Sequence, residues 1–573
     1  MSVLEGIAAS QGVGIGRAML VEEPDLTYVS RTVDDVAAET DRFRAAVARY
    51  IEETRDQAAA VRSAVGDHEA EILEGHVAMI SDPYMTGEME KLIGQGTCAE
   101  DALAQICDMF AGMFEASGDE LTAQRATDVR DVKTGVLTCL LNKRRVDIAT
   151  LPQGTVIVTH DLTPSMTADI RPGCIAAVVT ETGGVTSHCA ILARAMELPA
   201  VLSVPDATSL VSDGDELIVS GSDGTVTLEP TESDVVAARA QQEKLAVERA
   251  ELSAFVGART VTADGDAVKL FANIGTPADA VDALDHDAEG IGLFRTEFLF
   301  MDASAMPTED EQFAAYKKVA LTMKGKPVVI RTLDIGGDKD IPYMGFEHED
   351  NPFLGFRAIR YCLAREDVFR AQLRALLRAS AFGDIRIMLP LVTCYDEVTA
   401  VRELVRRYMH EFDREKIAYN PDVKIGVMIE TPAAALVADL LSEVSDFFSI
   451  GTNDLTGYTM AADRGNERVR YLYSAYNPAV LRSIRQVIAA GTAGGIEVGM
   501  CGEAAADPLL VPLWIAFGLD EYSVTASSVL ACRREISTWT RADACALADA
   551  VMGMRTADEV YQALRAAHEA RQK

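Results

Sequence analysis

The chain has 573 residues, 49% of them hydrophobic and 25% charged, which is the composition of an ordinary soluble globular protein. Its formal net charge of −35 argues against binding to nucleic acid or to an anionic membrane surface. No apolar run is long enough to span a bilayer, the N-terminus lacks a signal-peptide pattern, and the ten cysteines show no metal-binding spacing. We therefore expect a cytoplasmic protein with reduced thiols and no membrane insertion.

A chain of this length exceeds one hydrophobic core, so several domains are expected. The first 20 residues combine short apolar pieces with glycines and predict one or two strands. Residues 31–143 instead show a helical period, interrupted at Pro83, Gly94 and Gly96. The helical stretches are roughly 32–63, 67–81, 99–116 and 119–142. Four helices without strands predict a bundle, and its 22 acidic and 11 basic residues form either a solvated surface or a docking face for a basic protein.

Strand-like pieces return after this bundle, at Thr155–Thr159, Ile175–Val179, Ala200–Val201 and Glu216–Val219. We therefore expect residues 1–25 and 144–229 to form one small α/β domain, with residues 26–143 inserted into it as an all-helical domain. A polar helical stretch within residues 230–259 is predicted to link this part to residues 260–573.

The most informative stretch of the small domain predicts a strand, a glycine bend and a helix around His188. Gly183 and Gly184 interrupt an apolar run, and the apolar positions after Ser187 follow a helical period. With Thr186 or Ser187 as the N-cap, His188 falls in the first turn, where unpaired backbone N–H groups favour an anion. Imidazole is also a competent nucleophile near neutral pH. The histidine is therefore either a carrier of a phosphoryl group or an ordinary residue packed at a helix start.

From about residue 265, an apolar strand followed by a helix recurs eight times, which is the count and size of a (β/α)₈ barrel. A doubly wound open sheet is the alternative. The predicted strands are Lys269–Ile274, Gly290–Glu297, Val328–Asp334, Arg386–Val392, Ile425–Thr431, Phe447–Asp454, Glu497–Glu503 and Glu521–Thr525.

Charged and polar residues cluster at the ends of these strands, where barrels carry their active sites. Arginines at one mouth suggest a small polyanion, since guanidinium groups bind carboxylate or phosphate at two points. Glu430 and Asp454 match the way proteins hold Mg²⁺, although arginine–carboxylate pairs can also simply brace a barrel. Cys501 is either an inert core thiol or an acid–base group. The candidate residues are Asn273, Arg295, Glu297, Arg331, Asp334, Arg357, Glu430, Asn453, Asp454, Arg464, Cys501 and Glu503.

Over essentially its whole length the chain resembles the enzyme I family of the bacterial phosphoenolpyruvate-dependent sugar phosphotransferase system. The resemblance rests on several motifs in the same order and spacing. They are Gly183-Gly184-Val185-Thr186-Ser187-His188, Arg295-Thr296-Glu297-Phe298-Leu299-Phe300, Asp334-Ile335-Gly336-Gly337-Asp338-Lys339, Asn351-Pro352-Phe353-Leu354-Gly355-Phe356-Arg357, Glu430-Thr431-Pro432, Gly451-Thr452-Asn453-Asp454-Leu455-Thr456, Asp463-Arg464-Gly465-Asn466 and Met500-Cys501-Gly502-Glu503.

The resemblance implies an enzyme that takes the phosphoryl group of phosphoenolpyruvate onto His188 and passes it to the phosphocarrier protein HPr, as the first step of sugar uptake. Cys501 would protonate the enolate carbon, and Glu430 and Asp454 would ligate Mg²⁺. The helical insertion would dock HPr, and the family is a homodimer through its barrel. Substrate would be bound by Arg295, Arg331, Arg357, Asn453, Asp454 and Arg464.

Three positions depart from the family pattern: Val185 replaces a residue that is often basic, Cys189 one that is often threonine, and Ala506 one that is usually glycine. The main alternative is a fragment of a phosphoenolpyruvate synthase or pyruvate phosphate dikinase that lacks its ATP domain. A non-catalytic relay scaffold is the other, although all four of His188, Glu430, Asp454 and Cys501 are present.

Overall fold

The computed structural model describes residues 2–21, 26–64, 67–115, 120–143, 148, 151–162, 166, 174–184, 187–196, 198–301, 303, 305–336, 341–463, 466 and 468–571. The protein is a multidomain α/β protein, as predicted, and divides into two compact units, residues 1–249 and 250–573. Among the helices of the described segments, none combines the length and apolar character needed to cross a bilayer.

The first unit contains an eight-stranded mixed sheet with the order β1-β8-β7-β3-β4-β5-β6-β2. The pairs β3–β4, β4–β5 and β5–β6 are parallel. The other four pairs, β1–β8, β8–β7, β7–β3 and β6–β2, are antiparallel. The strands are β1 Ser2–Glu5, β2 Ile7–Ser10, β3 Val13–Leu20, β4 Thr155–Thr159, β5 Ile175–Thr180, β6 Ala200–Leu202, β7 Glu216–Ser220 and β8 Thr225–Leu228. Alternate residues of β4 and β5 enter two different hydrophobic clusters, so the sheet has a core on each face.

Two features of this sheet differ from the prediction. The first 20 residues form three strands rather than one or two, and Thr225–Leu228 pairs with β7 as a hairpin strand. Gly224 has φ +71°, a left-handed conformation that suits the turn between these strands.

Four helices were predicted between β3 and β4, and the described residues of this segment form five α-helices. They are α1 Val36–Ala64, α2 Asp67–Ile80, α3 Pro83–Gly94, α4 Ala99–Glu115 and α5 Glu120–Leu140. The additional helix α3 begins at Pro83, whose missing N–H costs nothing at the first helical position, and Asp82 caps it by accepting from Tyr84 N. Buried Phe43, Met89 and Val129 belong to one core shared by these helices.

Among the described residues after β5, three further helices lie in the first unit or extend from it: α6 His188–Ala195, α7 Ala207–Leu210 and α8 Glu232–Ser253. Helix α8 lies in the segment predicted as a linker. Its Ala238 packs with Val13 and Ile218 of the sheet, and Gln242 Nε2 donates to Val13 O at 2.7 Å. The division between the two compact units falls near the end of this helix.

The second unit is a closed barrel of eight parallel strands, which confirms the (β/α)₈ prediction over an open sheet. The first and last strands have the predicted bounds, and the other six end two to three residues earlier than predicted. The strands are β9 Lys269–Ile274, β10 Ile291–Arg295, β11 Val328–Arg331, β12 Ile385–Leu389, β13 Lys424–Ile429, β14 Phe447–Gly451, β15 Glu497–Cys501 and β16 Glu521–Thr525.

Helices surround the barrel, and apolar side chains fill the layer between them and the strands. A smaller apolar cluster, which includes Leu293, Met388, Met428, Phe447 and Cys501, lies among inward-facing strand residues. The helices are α9 Asp279–Asp285, α10 Glu297–Met301, α11 Glu309–Thr322, α12 Ala358–Ala364, α13 Glu366–Ala379, α14 Tyr395–Glu415, α15 Pro432–Leu436, α16 Ala438–Ser442, α17 Thr452–Met460, α18 Pro478–Gly494, α19 Glu503–Ala506, α20 Val511–Phe517, α21 Val529–Ser537, α22 Arg541–Val551 and α23 Ala557–Arg571.

Candidate active site

The carboxyl ends of the barrel strands carry most of the candidate residues. Because all eight strands are parallel, their ends open onto one mouth of the barrel. Arg295 and Arg331 are register partners at the last step of the β10–β11 ladder, and Gly451 is the partner of Cys501. Seven of the nine candidates for catalysis, substrate or metal lie at this mouth: Arg295, Arg331, Arg357, Glu430, Asn453, Asp454 and Cys501.

Arg331 lies between two carboxylates at the end of β11. Its Nη2 is 3.1 Å from Glu297 Oε2, and its Nη1 is 3.1 Å from Asp334 Oδ2. Burial alone would lower the pKa of this guanidinium, but Glu297, Asp334 and Glu430 together raise it. Its Nε is buried and has no hydrogen-bond partner among the described residues. The side chain is therefore a fixed cation with one unused donor, which suits an anionic ligand.

Arg357 shares one of these carboxylates with Arg331. Arg357 Nη2 donates to Asp334 Oδ1 at 2.8 Å, and both side chains are buried. The Arg357 guanidinium also lies 5.6 Å from the centre of the Phe353 ring. Arg295, at the end of β10, is exposed instead. The mouth therefore combines two braced guanidinium groups with a third that is accessible to solvent.

Glu430 and Asp454 are two carboxylates close enough for the charge of Asp454 to raise the pKa of Glu430. Glu430 is 1% exposed, and its Oε1 accepts from Leu391 N at 2.6 Å. Burial raises the pKa of Glu430 well above its usual range, and the neighbouring Asp454 and Asp334 raise it further. A buried carboxyl that faces a second carboxylate is stabilised by a cation. These two residues fit Mg²⁺, which takes one or two carboxylates and completes its shell with water and substrate.

No group of three or more His, Cys, Asp or Glu side chains within the described segments is arranged to hold a metal alone. This arrangement is compatible with Mg²⁺, which at phosphate sites usually takes one or two carboxylates and completes its shell with substrate and solvent.

Cys501 ends β15 inside the barrel and is 2% exposed. Burial raises the pKa of its thiol to about 11, against the effect of a hydrogen bond from Ser449 Oγ, which lies 3.5 Å from Sγ. Arg331 and Arg295 also lower this pKa. The thiol is therefore protonated at neutral pH and lies near the guanidinium groups, as a proton donor to a bound anion requires.

Asn453 lies in the first turn of α17, directly after β14. Its carbonyl accepts from Tyr473 Oη at 3.0 Å, and its Oδ1 accepts from Glu503 N at 3.4 Å. The neighbouring Gly502 has φ +107°, and a Cβ atom there would lie 2.3 Å from Thr452 Oγ1. Only glycine allows the chain after Cys501 to pass this close to α17.

His188 belongs to the first unit and begins α6, as predicted, although its side chain lies outside the described part of the structure. Ser187 is the cap, since its Oγ accepts from Ala190 N at 3.3 Å. Gly183 has φ +100°, and its carbonyl accepts from Ser203 Oγ at 2.6 Å. The helix start is thus held by residues that follow β5 and β6. Arg464 lies outside the described residues, so its position relative to the mouth stays a prediction.

Ser449 was not predicted to belong to the site, and Glu297 and Asp334 were predicted to lie there without a role. Ser449, which donates to Cys501, is a hydroxyl in an otherwise apolar strand, and that mismatch was a usable signal. Glu297 and Asp334 were recognised only as charged strand ends. Their roles as braces of Arg331 depend on side-chain geometry that the sequence pattern does not contain.

Three protein-family models match successive parts of the chain. Residues 5–125 match "PEP-utilising enzyme, N-terminal", residues 151–224 match "PEP-utilising enzyme, mobile domain", and residues 249–541 match "PEP-utilising enzyme, PEP-binding domain".

Curated proteins match along nearly the whole chain. The phosphoenolpyruvate-protein phosphotransferase of Bacillus sp. (strain S) is 45% identical over 97% of this chain and 96% of its own length. Those of Priestia megaterium and Bacillus subtilis (strain 168) are 43% and 42% identical, each over 98% of both chains. The chain therefore belongs to the PEP-utilising enzymes and, within them, to the family of phosphoenolpyruvate-protein phosphotransferases.

Proposed function

We propose that the protein transfers the phosphoryl group of phosphoenolpyruvate to its own His188, releases pyruvate, and then phosphorylates a histidine of the carrier protein HPr as the first step of sugar uptake. The observation that carries this proposal is the set of guanidinium groups and carboxylates around a buried thiol at the barrel mouth. Relatives of matching length bear the phosphotransferase name, which favours this function over a dikinase or synthase fragment.

Substrate recognition in this proposal uses charge and two-point hydrogen bonding. Phosphoenolpyruvate carries a carboxylate and a phosphate, and each matches the planar fork of a guanidinium. Arg331 has a donor to spare and Arg295 is accessible, so these two are proposed as the main anion contacts. Arg357 would contact the phosphate, and Asn453 and Arg464 would complete the pocket.

The chemical step then uses two side chains of this protein, those of His188 and Cys501. An imidazole nitrogen of His188 attacks phosphorus in line, the bond between phosphorus and the bridging oxygen breaks, and that oxygen leaves with the electron pair as the enolate of pyruvate. The Cys501 thiol donates its proton to the methylene carbon and regains one from water. Mg²⁺ bound by Glu430 and Asp454 would neutralise charge on the substrate.

His188 and the barrel residues belong to different compact units, so the proposal includes a domain movement. We propose a phosphohistidine domain of residues 1–25 and 144–229, a carrier-docking domain of 26–143, a linker of 230–259 and a substrate barrel of 260–573. Such a movement would let one imidazole meet phosphoenolpyruvate and the carrier in turn.

The decisive experiment is incubation with ³²P-labelled phosphoenolpyruvate and Mg²⁺. Wild type is expected to take up acid-labile, base-stable label, and His188→Ala is expected to take up none. His160→Ala is the matched control, since His160 is exposed and follows the neighbouring strand β4. Label that persists in His188→Ala would exclude the proposed acceptor.

Docking of HPr on the inserted helices is a separate part of the proposal. Their surplus of acidic residues suits a carrier with a basic face. A variant without residues 31–143 should still accept label from phosphoenolpyruvate but should not pass it to HPr. Transfer at the wild-type rate would place the docking surface elsewhere.

A homodimer through the barrel, in a reducing compartment such as the cytoplasm, completes the proposal. All ten cysteines are free, which suits a reducing environment. On the barrel unit Leu436 is 69% exposed and Leu440 48% exposed, and such apolar side chains suit a second subunit. Sedimentation should give a dimer that Leu436→Glu weakens and Leu321→Glu, at another exposed leucine, does not. A monomer at micromolar concentration would contradict it.

A further inference from the structure

A chain of hydrogen bonds among four buried polar side chains lies behind the ends of β10 and β11. Its members are Thr296 after β10, Gln312 and Tyr316 on α11, and Gln372 on α13, and none is more than 1% exposed. We call them the Gln372 network. At its outer end Tyr316 Oη donates to Gln312 Oε1 at 3.1 Å, and Gln312 Nε2 donates to Pro307 O at 3.0 Å.

Gln372 is the member that joins the two strand ends. Its Nε2 donates to Thr296 Oγ1 at 3.2 Å and to Tyr316 Oη at 3.3 Å, while its Oε1 accepts from Leu333 N at 2.9 Å. The Thr296 hydroxyl donates in turn to Arg331 O at 2.8 Å. Both hydrogens of the amide and its oxygen are therefore used, and a fully satisfied buried network of this kind is rigid.

These hydrogen bonds begin where the ladder between the strands stops. Arg295 and Arg331 are the last register partners of β10 and β11. Thr296 follows the first of these arginines directly, and Leu333 comes two residues after the second. The Gln372 network thus continues the connection between the strands at the level of the guanidinium groups. Glu297 and Asp334, which brace Arg331, come one residue later on each strand and are joined by a hydrogen bond of 3.1 Å from Asp334 N to Glu297 Oε1.

We propose that Gln372 is a positioning residue for substrate, which sets the spacing between Arg295 and Arg331 through the backbone on which both are carried. The inference rests on the proposed function, in which these arginines bind the two anionic groups of phosphoenolpyruvate. Within the part of the chain that the structure describes, Gln372 bonds to neither guanidinium, so it acts through Thr296 and Leu333. Two-point binding of a small rigid substrate with two anionic groups depends on this spacing, so a shift of either guanidinium would weaken the binding of substrate that KM reports.

If Gln372 served only to stabilise the core, its substitution would affect stability alone. A matched pair of full-length variants separates this role from the positioning of substrate. Gln372→Met keeps the volume of the side chain and removes its hydrogen bonds. Gln312→Met does the same at an equally buried glutamine of the same network, whose partners are Tyr316 and the carbonyl of Pro307 rather than the strand ends. For each variant the Tm is measured. KM for phosphoenolpyruvate and kcat for pyruvate release are then measured well below the Tm, with Mg²⁺ and with excess HPr as the acceptor that regenerates the free histidine.

Both variants are expected to have a lower Tm, but only Gln372→Met is expected to raise KM, by roughly tenfold or more, with a smaller change in kcat. Thr296→Val, which breaks the same connection from the other side, should raise KM in the same way and decides the question if Gln372→Met does not fold. A lower Tm with KM unchanged in these variants would overturn the positioning role. Failure of the wild type to release pyruvate from phosphoenolpyruvate would instead reject the proposed function, and it would appear without any substitution.

Discussion

Asp334 binds Arg357 through a hydrogen bond of 2.8 Å between Oδ1 and Nη2, and its other oxygen lies 3.1 Å from Arg331. One carboxylate therefore orients two of the guanidinium groups at the barrel mouth. All three side chains are largely buried, so the ionic contacts are poorly screened by solvent. The position of the anion-binding groups thus depends on a residue that itself would repel the substrate.

Asp334→Asn is expected to weaken substrate binding rather than strengthen it. The amide keeps the shape but not the charge, so each arginine loses a charge-assisted contact of roughly 1.5–3 kcal/mol. We expect KM for phosphoenolpyruvate to rise by about tenfold or more, in a steady-state assay of pyruvate release with excess HPr as the phosphoryl acceptor. Asp384→Asn is the control, because Asp384 pairs with Arg386 at 2.9 Å at the start of β12, away from the mouth. An unchanged KM in Asp334→Asn would show that the arginines are positioned without it.

Cys501→Ala is expected to lower the rate of pyruvate release by orders of magnitude while the protein remains folded. The thiol is the proposed proton donor, and general acid catalysis contributes about 10²–10⁴-fold. A lactate dehydrogenase coupled assay measures the release. Normal turnover in the variant would remove the cysteine from the mechanism.

The burial of Cys501 predicts a low reactivity of its thiol. Because burial raises its pKa to about 11, little thiolate exists at pH 7.5, and we expect slow alkylation by iodoacetamide. Cys394 is exposed and serves as the internal control, which should be modified first. Peptide mapping after a timed reaction compares the two, and equal rates would mean that the mouth exposes the Cys501 thiol.

The barrel was predictable because each of its strands is an apolar run with a helix after it, a local signal that depends little on distant residues. The ends of the strands were less predictable. The run Val328–Asp334 was predicted as strand throughout, but β11 stops at Arg331. Beyond that point Leu333 N and Asp334 N donate to side chains, Gln372 and Glu297, rather than to a neighbouring strand. Periodicity cannot distinguish these two kinds of partner.

The candidate site was also predictable in part. Residue types and their places at strand ends indicated an anion and a cation site before any geometry was known. The sequence could not show which carboxylates bind arginine and which remain for a metal, because that depends on the direction of each side chain. Asp334 lies between two guanidinium groups, whereas Glu430 accepts a hydrogen bond from a backbone amide. Helix α3 is a different case, since Asp82 and Pro83 were a readable start signal that was taken for a break.

Glu521 predicts how the stability of the barrel unit changes with pH. It begins β16 and is 5% exposed. Burial raises its pKa to about 8, Glu497 and Asp520 add to the effect, and Arg386 and Lys269 oppose it. The unfolded value of a glutamate is about 4.3, so between roughly pH 4.3 and 8 the folded state binds more protons than the unfolded state. The free energy of unfolding should therefore fall as pH rises through this window.

Glu521→Gln removes this titration and should be tested by urea unfolding at pH 5 and pH 8.5. Relative to wild type, the variant should gain on the order of a few kcal/mol in free energy of unfolding between the two pH values, because wild type alone must hold a buried carboxylate at the higher pH. The pH dependence isolates the charge, since any packing cost of the amide is the same at both values. Glu403→Gln, at an exposed position of α14, should show no such gain. An equal difference from wild type at both pH values would mean that the Glu521 carboxyl is solvated well enough to ionise near its ordinary pKa.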